Sequence, residues 1–120
     1  MLLSALLLAQ SFNALAVMND AQFCEVFQRN IGQLADQNSA PFFIPRPSVD
    51  CPNKRIAVTI HIASSGNDFT SLHQNFVANA RSGICNLSDP TMATFHERGW
   101  RYAYRFVAQN GEMVNVTLNC

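Results

Sequence analysis

The clearest pattern of apolar and polar positions is a strict alternation between residues 56 and 63. Ile56, Val58, Ile60 and Ile62 alternate there with Ala57, Thr59, His61 and Ala63. Successive side chains of a strand point to opposite faces, so the alternation predicts a strand with one buried face. His61 is therefore expected on the open face of the sheet.

Two other segments have the spacing of amphipathic helices. The first begins at Asn19 or Asp20, with Gln22 placed for a capping box, and we expect it to end near Gln37; its apolar positions are Phe23, Val26, Phe27, Ile31 and Leu34. The second begins at Asn67 or Asp68 and ends at Gly83, a natural C′ residue; its apolar positions are Phe69, Leu72, Phe76, Val77 and Ala80.

Residues 38–54 form a proline-rich segment between the first helix and the strand. Pro41, Pro45, Pro47 and Pro52 exclude a helix and remove donors that a strand would use. The segment is predicted to be an extended loop that carries Phe42, Phe43 and Ile44.

Two strands are predicted at the end of the chain, over residues 96–108 and 112–120. A two-residue Asn110-Gly111 turn would place the aromatic row opposite polar residues. A three-residue loop, Gln109-Asn110-Gly111 with a bulge at Gly111, gives one apolar face. Burial selects such a register strongly, because a one-residue slip inverts a strand's faces. The apolar face then holds Trp100, Tyr102, Tyr104, Phe106, Val114, Val116 and Leu118.

The predicted fold class is α+β, with two helices packed on one face of a three-stranded, mainly antiparallel sheet. A split βαβ arrangement, in which the last strand lies between the other two, is the first choice. The order in which the last strand lies at the edge is the alternative. "NLSDPT", before the hairpin, is interpreted as a turn.

Residues 1–16 are predicted to be an export signal, because a short uncharged apolar run precedes the small residues Ala14 and Ala16. Residues 17–120 would form a single domain, with no transmembrane segment. Its four cysteines are an even number without C-x-x-C spacing, which favours two disulfides in a periplasmic or extracellular protein. Of three pairings, Cys85–Cys120 with Cys24–Cys51 fits the predicted topology best.

The end of the chain resembles a family of small exported bacterial proteins. A cysteine follows a helix, Gly99, Tyr102 and Tyr104 match a G-x-x-Y-x-Y hairpin, and a terminal cysteine follows a glycine-containing turn. The resemblance covers residues 84–120. It implies a periplasmic α+β domain and carries no assigned activity.

Charge is balanced, with eight Lys and Arg against eight Asp and Glu, which argues against nucleic acid as a partner. No metal-ligand spacing, nucleophile motif or phosphate loop is present, so no catalytic, cofactor-binding or metal residue is expected. His61 and His96 are expected to be solvated, and His73 to be a core or rim residue. We therefore expect a non-enzymatic binding or interaction protein, such as an inhibitor or an accessory subunit of an envelope system.

Two surfaces are candidates for docking a protein partner or a second copy. One is the open sheet face and the other is the proline-rich segment, and the candidate residues are Arg101, Arg105, His61, Val107, Met113, Phe42, Phe43 and Ile44. The alternative function is a small hydrolase or ligand-binding enzyme with a pocket near His73.

Overall fold

The computed structural model describes residues 18–31 and 39–120. The elements within these ranges are α1 (Asp20–Asn30), β1 (Phe42–Phe43), β2 (Ser48–Asp50), β3 (Arg55–Ile62), α2 (Gly66–Ile84), α3 (Pro90–Glu97), β4 (Arg101–Val107) and β5 (Met113–Thr117). The fold is α+β, as predicted. The predicted signal, 1–16, and the predicted end of the first helix near Gln37 lie outside the described residues.

The sheet is mixed and has five strands, rather than the three mainly antiparallel strands expected. β3 and β4 are parallel neighbours, with Ile56 opposite Tyr102 and Ile60 opposite Phe106. β5 pairs with β4 at the edge, so the preferred split arrangement is wrong and the alternative order is observed. In this order the strand with the bulkiest aromatic residues lies inside the sheet, while Val114 and Val116 of β5 stay half-exposed.

The bulged register of the β4–β5 hairpin is confirmed. Phe106 is opposite Val114 and Tyr104 is opposite Val116. The Ala108 N–H donates to the Glu112 carbonyl at 2.8 Å, and the Gly111 N–H donates to the Ala108 carbonyl at 3.0 Å. Gly111 has φ +91°, the left-handed conformation that this three-residue loop requires.

A third helix, α3, occupies residues that were predicted to be a turn and the beginning of a strand. The Asp89 carboxylate accepts from the Thr91 N–H at 2.9 Å, and Pro90 follows as the first helical residue. Proline is well suited to this position because its fixed φ is helical and it has no N–H to leave unpaired. The side chains of Met92 and Phe95 are completely buried, at 0% exposure, and they anchor this short helix to the core.

Two further expectations about local structure need correction. The proline-rich segment supplies β1 and β2, which pair antiparallel with the outer edge of β3; strands this short fit between prolines because edge strands tolerate missing donors. Helix α2 begins at Gly66 after Ser65 and continues through Gly83 to Ile84, so neither predicted cap is correct. The capping box of Asn19 and Gln22 on α1 is confirmed.

All three helices contact the same face of the sheet through aromatic rings. Centroid distances are 5.1 Å from Phe27 of α1 to Trp100, 5.6 Å from Phe95 of α3 to Tyr102 and 5.6 Å from Phe76 of α2 to Tyr104. Offset and edge-to-face pairs at such distances add about 0.5–1.5 kcal/mol each beyond area burial. The aromatic row of β4 and the preceding Trp100 is thus the centre of the core, and none of the described helices packs on the opposite face of the sheet.

The predicted disulfides are both present. Cys24 pairs with Cys51 and Cys85 with Cys120, at Cα separations of 5.9 and 5.4 Å. The first links α1 to the turn after β2, and the second links the end of α2 to the segment after β5. No helix of the described ranges is long and apolar enough to cross a membrane.

Candidate functional site

The sheet face turned away from the helices, here called the open face, carries five of the eight candidate docking residues. His61, Arg101, Arg105 and Met113 are exposed there and Val107 is half-buried. The strand register places His61 next to Val107, and Val107 next to Met113. Met113 is 60% exposed, which is high for a large apolar side chain in a strand. These five residues share the face predicted from the sequence alternation.

A hollow of about 340 Å³ lies across the middle of the open face. Its floor is a row of small side chains, because Ala57 pairs with Ala103 and Ala103 with Thr117. Arg55 and Arg105 line the hollow on either side of this row. The arrangement is a shallow trough with guanidinium groups at its walls.

The arginines of the open face are only partly neutralised. Arg55 pairs with Asp50 through Nη2 and Oδ2 at 3.2 Å, while its Nε is buried without a hydrogen-bond partner among the described residues. The Arg105 Nε donates to the neutral Asn115 amide oxygen at 3.3 Å. Within residues 18–31 and 39–120, neither Arg101 nor Arg105 forms an ion pair. Hydrogen bonds from Asn53 and the charge of Arg55 lower the pKa of Asp50, so the Asp50 carboxylate is ionised at neutral pH.

The second predicted surface, the proline-rich segment, is divided between the core and solvent. Ile44 is 7% exposed and belongs to the core, so its assignment to a docking surface is wrong. Phe42 is half-buried against Phe76, with ring centroids 5.5 Å apart. Phe43 is 54% exposed, and its ring lies 6.0 Å from His61 on the open face. Phe43 therefore extends the open face rather than forming a surface of its own.

His73 is a core residue, as the helical pattern indicated. It is 8% exposed, with ring centroids 5.0 Å from Phe69 and 5.5 Å from Phe106. Two phenyl rings therefore pack against the imidazole beside which the alternative function places a pocket.

His96 is half-buried, so its expected position in solvent is wrong. Its Nε2 lies 2.7 Å from the Ile84 carbonyl oxygen and 3.5 Å from Cys120 Sγ. A carbonyl oxygen can only accept, so the ring nitrogen at 2.7 Å carries a proton. The sequence signal that could have located His96 is the Asp89-Pro90 start of α3, which turns this residue toward the end of α2.

One cluster of potential metal ligands occurs within the described ranges. The sulfurs of Cys85 and Cys120 and a ring nitrogen of His96 all lie within 4.8 Å of one another. Both sulfurs are joined in the disulfide, and only the thiolate form of cysteine ligates metals well. In the oxidised protein the cluster is therefore a disulfide with a neighbouring imidazole rather than a metal centre.

Comparison with known proteins adds no relative from which a role could be transferred. No protein-family model, no curated protein and no solved structure matches the chain.

Proposed function

We propose that this is an exported, non-enzymatic binding protein whose open face docks an acidic segment of a protein partner. The observation that carries the proposal is the trough of small side chains flanked by arginines. Among the residues that the structure describes, the strands of this face carry Arg55, Arg101 and Arg105 against one carboxylate, that of Asp50. A face of one charge sign favours and orients a partner of the opposite sign.

A periplasmic or secreted location is part of the proposal. Two disulfides are typical of proteins that fold in an oxidising compartment. The apolar run at residues 2–9 and the small residues before Val17 fit an export signal. N-terminal sequencing of the exported protein is expected to begin at Val17, and an intact Met1 would refute the signal.

A partner of different sequence fits the open face better than a second copy does. A symmetric dimer makes the same patch meet itself. Arg101 and Arg105 of one copy would then lie near the same arginines of the other, and like charges at close range are unfavourable. Among the described residues β5 pairs with β4 on one side only, so its other backbone edge could also serve such a partner.

The proposal is tested by the affinity of the protein for short glutamate- and aspartate-rich peptides. The Arg101→Gln/Arg105→Gln double variant removes two charges from the open face. The control, Arg29→Gln/Arg46→Gln, removes two exposed charges elsewhere. Exposed ion pairs are worth about 0.2–1 kcal/mol each, so the first variant should bind about 2- to 30-fold more weakly.

Fluorescence anisotropy of labelled peptides, at low and moderate salt, measures this difference. The control should keep the affinity of the wild type, and added salt should weaken binding for both. Equal losses in the two variants would indicate a nonspecific charge effect and refute the open face as the site. A concentration-dependent dimer in sedimentation velocity would show instead that a second copy covers it.

A further inference from the structure

We propose that the Cys85–Cys120 disulfide is a site of thiol–disulfide exchange, attacked at Cys120 by a thiol and assisted by His96. The proposal does not depend on peptide docking at the open face and rests on the environment of this one bridge. It assigns the protein a second chemical class of partner, a low-molecular-weight or protein dithiol.

The two disulfides differ in solvent exposure. Cys24 is 2% exposed and its partner Cys51 is half-buried. Cys120 is exposed, and it lines an open hollow of about 240 Å³. Leu87, whose apolar side chain is exposed, and the basic residue Arg101 border the same hollow. An incoming thiol therefore has room at Cys120, with apolar and cationic groups beside it.

His96 is placed to stabilise either sulfur as it becomes a thiolate. Its protonated Nε2 is 3.5 Å from Cys120 Sγ, and the three ligand atoms of the cluster lie within 4.8 Å of one another. The hydrogen bond to the Ile84 carbonyl holds the ring in this position. A neighbouring histidine in its cationic form lowers the pKa of a cysteine thiol, and a thiol of lower pKa leaves faster in exchange.

Cys85 gains most from this assistance. It follows Ile84 directly as the C-cap of the 19-residue helix α2. The C-terminal end of a helix carries partial negative charge and disfavours an anion. Without a positive charge nearby, Cys85 would be a poor leaving group when Cys120 is attacked. The cationic form of the basic His96 ring, which glutamine cannot form, offsets this unfavourable position.

The exchange passes through a mixed disulfide. A partner thiolate attacks Cys120 Sγ, a new S–S bond joins the partner to Cys120, and Cys85 leaves as a thiolate that takes up a proton. The second thiolate of the dithiol then attacks the partner sulfur that is bonded to Cys120. The partner becomes a cyclic disulfide, and Cys120 is released as a thiolate that also takes up a proton. Two electrons and two protons pass from the dithiol, which becomes a disulfide, to the pair of cysteines.

The test uses the oxidised full chain and two probes, dithiothreitol and glutathione. Timed samples are alkylated and the cysteines are mapped by peptide mass spectrometry. Cys85–Cys120 should open about tenfold faster than Cys24–Cys51, which serves as the control in the same molecule. Glutathione, which has one thiol, should be found on Cys120. Equal rates for the two bridges, faster opening of Cys24–Cys51, or glutathione on Cys85 would each overturn the proposal.

The role of His96 is tested with His96→Gln. Glutamine keeps a neutral N–H donor for the Ile84 carbonyl but lacks the basicity of imidazole. Opening of Cys85–Cys120 should slow about tenfold, while the rate for Cys24–Cys51 stays unchanged. An unchanged rate at Cys85–Cys120 would exclude assistance by His96. A parallel change at both bridges would mean that the variant alters the fold. In that case the relative opening rates of the two disulfides in the wild type, and the cysteine on which glutathione is found, still decide whether exchange occurs at Cys120.

Discussion

Replacement of Gly111 by alanine should destabilise the domain through backbone conformation alone. The residue has φ +91°, and a Cβ built there meets no heavy atom within 4 Å. The new methyl group therefore has no neighbour to displace. The left-handed conformation costs an L-residue about 1–2 kcal/mol. Alanine also restricts the unfolded chain, which returns about 0.4–1 kcal/mol, so the net loss should be roughly 0.5–1 kcal/mol.

Urea unfolding followed by circular dichroism measures this loss. Gly66→Ala is a matched comparison, because Gly66 has φ +61° and equally open space around its Cα, and it should lose a similar amount. Gly111→Asn should fall between glycine and alanine, since asparagine tolerates the left-handed region better. If Gly111→Ala were as stable as the wild type, Gly111 would not be left-handed and the bulged loop would be refuted.

Two further predictions concern the aromatic core. Burial raises the pKa of both Tyr102 and Tyr104 above the ordinary value of 10.0. The contribution of these buried tyrosines to the free energy of unfolding is complete below pH 10 and is lost as the pH rises above it, because the tyrosines of the unfolded chain ionise first. In an alkaline titration the absorbance of tyrosinate should appear together with loss of circular dichroism. Ionisation of these tyrosines while the protein stays folded would contradict their burial. Phe95, with 0% exposure, contacts Phe27 and Tyr102, so Phe95→Ala should lower the free energy of unfolding in urea by about 3–5 kcal/mol. Leu87→Ala, at a position that is 56% exposed, should change it little, and similar losses in both variants would refute this account of the core.

The elements predicted correctly from the sequence are those that a short-range sequence pattern identifies and that have one apolar face and one polar face. The alternation from Ile56 to Ile62 identifies β3 because each second residue is buried. The hairpin register follows from the same contrast, since only the bulged loop places Phe106 opposite Val114. The disulfide pairing then follows from which ends of the elements meet.

The errors arise where local signals are weak or where pairing is nonlocal. The short helix α3 has its cap and proline in sequence, at Asp89 and Pro90, but only eight residues of pattern. Prolines conceal β1 and β2 because they argue against interior strands, whereas these strands lie at an edge. Strand order is not encoded locally, because the same faces are buried in either order. The position of His96 depends on α3 and was therefore missed with it.

Arg101 connects the two proposed activities, because it is exposed on the open face and also borders the hollow at Cys120. Arg105 lines the trough of the open face and does not border the hollow at Cys120. Arg101→Gln should therefore weaken binding of acidic peptides and also slow attack by glutathione, which is anionic, more than attack by uncharged mercaptoethanol. Arg105→Gln should weaken peptide binding and leave both exchange rates unchanged. If Arg101→Gln slowed the two thiols equally, its charge would not guide thiols to Cys120, and the two sites would act independently.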